Sequence, residues 1–147
     1  MKKLSLLIGL ITILNSCFEQ GDCTDASSNM IKIKFYDFVS RAPKSIAFDS
    51  ITINNETSLS FYEGETVSTV QLPLHPDLDS IKFNLYFGNS VSVLDVQYKI
   101  RTFALAPDCL AIDLYSITDA TGVTINQIVF KQKELSKDVP ENLQLYF

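Results

Sequence analysis

Apolar and polar residues alternate with a period of two along most of this chain. From Met30 to Tyr36, Ile31, Ile33 and Phe35 share one face and Lys32, Lys34 and Tyr36 the other, the pattern of a half-buried β-strand. Ser45 to Asn54 repeats it through Ile46 and Phe48, then Ile51 and Ile53, and the change of phase at Asp49-Ser50 predicts a bulge or turn. Turns at Asn54-Asn55-Glu56 and Glu63-Gly64-Glu65 bracket a short strand over Leu59 to Tyr62, and Val67 to Leu74 alternates weakly until Pro73 and Pro76 stop it. Asp79 to Phe87 is the cleanest strand, with Ile81, Phe83, Leu85 and Phe87 inward and Lys82, Asn84 and Tyr86 outward.

Gly88-Asn89 predicts a hairpin into a long arm, Val91 to Leu105. In that arm Val91 and Val93, then Val96, Tyr98 and Ile100, are expected inward, with a bulge near Leu94-Asp95. After the break at Ala106-Pro107-Asp108, Leu110, Ile112 and Leu114 are expected on one face and Ala111, Asp113 and Tyr115 on the other. Thr121-Gly122 predicts a turn into Val123 to Lys133, and Leu143, Leu145 and Phe147 alternate in a last strand. No stretch sustains a helical period, and Lys131 to Lys137 would form one turn of helix at most. Short β-branched and aromatic runs spaced by about 8 to 12 residues predict an all-β fold, a single antiparallel β-sandwich of Greek-key, immunoglobulin-like type over residues 30–147. A small β-barrel is the alternative.

Composition narrows this further. At 147 residues, 46% hydrophobic and 20% charged, the chain has enough apolar side chain for one packed domain. Its net charge of −5 argues against a nucleic-acid partner, which would be held by Lys and Arg. One His and three Cys leave little material for metal sites or acid–base catalysis, and there is no Walker loop, dinucleotide turn or HExxH. The expectation is therefore a protein without cofactor or metal, and not an enzyme.

The N-terminus carries the strongest local signal. Met1-Lys2-Lys3 is followed by an apolar run from Leu4 to Leu14, too short for the ~20 residues of a membrane-spanning helix but suited to a secretory signal peptide. Leu14-Asn15-Ser16-Cys17 resembles the lipobox of bacterial lipoproteins. That resemblance implies a signal peptide over residues 1–16, acylation of Cys17, and a tether over residues 17–29 ahead of the domain. The plain alternative is a chance cysteine near an ordinary cleavage site. Acyl chains at ~0.8 kcal/mol per buried methylene would anchor the protein durably, and loss of Lys2 and Lys3 would take the net charge from −5 to −7. Phe18 is not the Asp that retains many lipoproteins in the inner membrane, which favours the outer membrane, facing the periplasm or the cell surface. Glu19 and Asp22 resemble an acidic surface-export signal and equally suit a solvated tether.

With Cys17 acylated, Cys23 and Cys109 remain in an oxidising compartment, where an even pair most simply forms one disulfide. Two free thiols, or a catalytic or metal role, are the alternatives. A bridge across 86 positions would contribute about 4 to 5 kcal/mol in the chain-entropy model. His75, in Leu74-His75-Pro76-Asp77, reads as a loop histidine, and Asp77 with Asp79 offers too few ligands for a dedicated calcium loop. Asp49-Ser50-Ile51 and Asp79-Ser80-Ile81 match an Asp-Ser/Thr-aliphatic O-glycosylation sequon of Bacteroidota, making Ser50 and Ser80 candidate acceptors; turn-capping is the competing explanation. Asn55-Glu56-Thr57 matches an N-glycosylation sequon that carries little weight in a bacterial lipoprotein. Tyr36, Tyr62, Tyr86, Tyr98, Tyr115 and Tyr146 could form an exposed contact surface, or pair across strands to stabilise the sheet.

The lipobox, a Cys six residues later, the Phe35-Tyr36-Asp37 step, the long hairpin arm, the second Cys and the terminal strand together resemble a family of small Bacteroidota lipoproteins known only as a domain of unknown function. Cys109 is followed by Leu110, where that family usually has Gly. The resemblance implies architecture and anchoring and no activity. The expected role is a non-enzymatic binding or accessory module of the cell envelope, attached to the membrane by its lipid and able to engage an envelope protein. The alternative is a structural envelope lipoprotein without a discrete ligand.

Overall fold

The computed structural model describes residues 25–54, 56–104 and 109–147. Among them the regular elements are all strands: β1 (Met30–Tyr36), β2 (Ile46–Ala47), β3 (Ser50–Ile53), β4 (Glu56–Phe61), β5 (Thr66–Val67), β6 (Thr69–Pro73), β7 (Ser80–Phe87), β8 (Ser90–Ala104), β9 (Ala111–Val123), β10 (Gln127–Phe130) and β11 (Leu143–Tyr146). They form a four-stranded sheet in the order β10-β11-β1-β6, a five-stranded sheet in the order β4-β3-β7-β8-β9, and a two-stranded ribbon of β2 and β5. None of the sheets closes on itself, and the fold is an all-β sandwich.

Period-two burial makes the two inner faces. Ile31, Ile33 and Phe35 of β1, Leu143 and Leu145 of β11, and Val70 and Leu72 of β6 are buried on one side. Ile51, Ile81, Phe83, Leu85, Leu94 and Val96 are buried on the other. Pairing is antiparallel except between β1 and β11, which run parallel from Ile33↔Leu143 to Tyr36↔Tyr146. The first and last strands of the domain thus lie side by side. Asn142, fully buried, fastens them: its amide donates to Lys32 O at 2.7 Å, its Oδ1 accepts from Lys32 N at 2.9 Å, and its Nδ2 donates to the carbonyls of Gln132 and Glu134. One end of the sandwich is closed by four rings, Phe35, Phe48, Phe87 and Phe147, with centroids 5.3–6.1 Å apart.

Several strand faces differ from expectation. In β8 the buried residues are Ser92, Leu94, Val96 and Tyr98, whereas Val91 is 45% exposed. The two-residue turn at Gly88-Asn89, with Gly88 at φ 57, pairs Phe87 with Ser90, so Ser92 lies beside Leu85 and Leu94 beside Phe83 on the inner face of the same sheet. The bulge falls between Gln97 and Tyr98 and leaves Thr118 of β9 without an opposite residue. In β9 Tyr115 and Ile117 turn inward, while Leu110 is 88% exposed. Thr121 and Gly122 continue β9, pairing with Asp95 and Leu94, and the chain turns instead at Thr124, at φ 63. Residues 131–137 form no helical turn: Leu135 is buried and its amide donates to Tyr115 O at 2.9 Å.

Candidate functional site

The end of the sandwich opposite the four phenylalanines is open. There β3 ends at Ile53, β6 ends at Pro73 and β7 begins at Ser80. A cavity of about 370 Å³ lies between them, walled by Ile53, Phe61, Leu74 and Ile81, with His75 and Leu78 at its rim. That volume falls in the range that takes a small organic ligand. The walls are apolar because inward-facing Ile53 of β3 and Ile81 of β7 meet the buried Leu74 there.

The rim is held by backbone contacts. The Tyr98 hydroxyl donates to His75 O at 2.9 Å and accepts from His75 N at 3.1 Å. Leu74 N donates to Asn29 O, tying the same loop to the start of β1. Asn54, at φ 49, donates to Lys82 O at 2.8 Å and accepts from Lys82 N through its Oδ1 at 3.0 Å. Asp77 N donates to His75 Nδ1 at 3.1 Å, which fixes the ring against its own loop. The site can thus offer an apolar body-binding surface with an imidazole and an amide at its edge.

A second, polar cleft of about 660 Å³ lies between β1 and the β8–β9 arm, lined by Ser27, Asn29, Lys32, Gln71, Asp113 and Tyr115. Its Lys32 ammonium is already committed, donating to the carbonyls of Lys137 and Val139 at 2.7 Å each. Burial, reinforced by the negative charges of Asp113 and Asp77, holds the Tyr115 phenol above the usual tyrosine range. Burial likewise raises Tyr98, against the lowering effect of its bond to His75. Both phenols keep their protons more firmly than usual, the opposite of an activated base.

The residues singled out in the sequence are dispersed. Ser50 opens β3 and pairs with Tyr86, Ser80 opens β7 and pairs with Gln97, and both lie on the outer face of the five-stranded sheet at opposite ends. Ser80 is exposed and Ser50 half-buried. Cys17, Cys23 and Asn55 lie outside the described residues; Cys109, half-buried beside the end of the β8–β9 arm, is not a free thiol. Among the described residues, no three of His, Cys, Asp and Glu gather closely enough to hold a metal ion.

The tyrosines do not form one exposed surface. Tyr98 and Tyr115 are buried, with ring centroids 6.2 Å apart, and Tyr36 stacks on Tyr146 at 5.2 Å across the parallel β1–β11 pair. Tyr62 accepts from Gln71 N at 2.8 Å, covering a backbone group on the free edge of β6. The alternation of β8 signals the inward parity of Tyr98, but nothing local in the sequence signals the loop that its hydroxyl meets. Compared with known protein families, with curated proteins and with solved structures, the chain matches none.

Proposed function

We propose that this chain is a lipid-anchored, non-enzymatic binding module of the cell envelope, held at the outer membrane through Cys17, with Cys23 and Cys109 joined as a disulfide and the open sandwich end as its ligand site. The observation that carries the reading is the lipobox-like Leu14-Asn15-Ser16-Cys17, directly behind an apolar run and 13 residues ahead of Met30, where β1 begins. A preformed apolar cavity behind a clamped loop supports binding, and phenols with raised pKa give acid–base chemistry little to work with. Cys109 not being a free thiol supports the disulfide. The family resemblance and the glycosylation of Ser50 and Ser80 belong to the same proposal.

The test is fractionation of cells making the full chain with and without Cys17→Ala. The parent should sediment with membranes and gain the mass of acyl chains, and the variant should be released; persistent membrane association of the variant overturns the anchor. Non-reducing peptide mapping should join Cys23 to Cys109. Cross-linked pull-down from solubilised membranes, repeated with His75→Ala and Leu78→Glu, should lose its captured partner if the open end binds it. Equal capture by all three proteins moves the site elsewhere, and no capture favours a structural lipoprotein.

A further inference from the structure

The β8–β9 hairpin outgrows the sandwich. β7 stops pairing with β8 at Ser80↔Gln97, but β8 and β9 continue together to Ala104↔Ala111. Arg101, Thr102, Phe103 and Ala104 are all exposed, a projection of about 10 Å at the rise of an antiparallel strand. The opposed pairs Arg101↔Leu114 and Phe103↔Ile112 fall on one face of this ribbon. Phe103 is 41% exposed and Leu110, at the far end, 88%.

The chain enters the fold beside this arm. Lys137 N donates to Ala26 O at 2.9 Å and Ser27 bridges to Ser136. Ala26 and Ser27 line a groove of about 270 Å³ together with Phe103, Ile112, Leu114 and Leu135. Between Cys17 and Asp25 there are eight residue steps, at most about 29 Å when fully extended. An anchor at Cys17 therefore holds the end of the arm within reach of the bilayer surface.

We infer that the projecting part of the β8–β9 hairpin is a membrane-contacting prong, with Phe103 and Leu110 seated in the interfacial layer of the bilayer that holds the anchor. This rests on the reading of Cys17 as the lipid attachment site. Two apolar side chains would bind a bilayer weakly alone, but a tether makes the contact intramolecular and a weak contact sufficient. Exposed Lys99 on the same arm suits the anionic headgroup level, as does Arg101, whose exposed ion pair with Glu134 at 3.7 Å would exchange for a headgroup at little cost. The exposed pair Phe38 and Val39 sits past the other end of β1, where the Phe38 amide donates to Phe147 O at 3.0 Å, away from the chain's entry.

The chain has no Trp, so single replacements report unambiguously. Protein spanning Cys17 to Phe147 is coupled through the Cys17 thiol to maleimide-bearing phosphatidylethanolamine in phosphatidylethanolamine/phosphatidylglycerol vesicles. Leu110→Trp and Phe103→Trp should shift their emission to the blue on coupling and lose intensity to lipids brominated high on the acyl chain; Val39→Trp should do neither. Identical behaviour of all three overturns the prong. Because the anchor is supplied chemically, this result is independent of whether cells acylate Cys17, which the mass of the mature protein decides separately.

Discussion

The Tyr98 hydroxyl grips both backbone groups of His75, donating to its carbonyl at 2.9 Å and accepting from its amide at 3.1 Å. Tyr98 comes from the strand that leaves the sandwich as the projecting arm, so these two bonds tie the rim of the open end to the base of the arm.

Tyr98→Phe removes that grip while keeping the ring in the core. It should cost about 1–2 kcal/mol in urea unfolding, since the His75 backbone groups lose a buried partner. Amide exchange should accelerate at His75 and Asp77 before any change at Phe83. Unchanged exchange there would mean that the loop is held by Leu74 and Asn29 alone.

Burial raises the pKa of Tyr98 and Tyr115 above the ordinary value of 10.0. Their folded-state pKa lies above the unfolded one, so their contribution is fully present below pH 10 and is lost as pH rises through the folded pKa. Absorbance titration at 295 nm should show the Tyr98 and Tyr115 phenols ionising above the ordinary value, with stability falling over the same interval, and Tyr98→Phe should remove one of these late steps.

At the acid end, the Asp37 carboxylate accepts from Val39 N, Ser40 N and the Ser40 hydroxyl, and the Ser40 bonds hold its pKa below the ordinary 3.8. Its contribution is present above pH 3.8 and disappears as pH falls through the lower folded value. Asp37→Asn should remove this acid-side dependence, read by comparing unfolding midpoints of the two proteins below pH 4.

Asn142 has no exposed surface and bonds to Lys32, Gln132 and Glu134. Asn142→Leu strands the Lys32 amide and the Gln132 and Glu134 carbonyls inside the protein and should cost about 3 kcal/mol or more, with β11 protection lost first in amide exchange. A neutral outcome would show that β11 is retained by Leu143 and Leu145 alone.

Leu94 is fully buried, whereas neighbouring Val93 is on the outer face. Leu94→Ala should cost about 2–5 kcal/mol and Val93→Thr well under 1 kcal/mol. Reversed magnitudes would mean a one-residue slip of β8.

Strand identity was legible in the sequence because alternation is a local property: β1, β7 and β11 follow directly from Ile31-to-Phe35, Ile81-to-Phe87 and Leu143-to-Phe147. The acylation signal proposed around Cys17 is local in the same sense, a linear stretch from Leu14 to Cys17. Which face of β8 and β9 is inward was not local. Val91, Val93, Leu110, Ile112 and Leu114 are as apolar as their buried neighbours, and only the Phe87↔Ser90 register and the bulge beside Tyr98 decide which side meets the opposite sheet. The open end, the Tyr98 clamp and the chain's entry beside the hairpin arm unite residues 23 to 111 positions apart. Alternation specifies a strand's two faces, but the hydrogen-bond register between strands distant in sequence decides which face is buried and which groups are left to form a site.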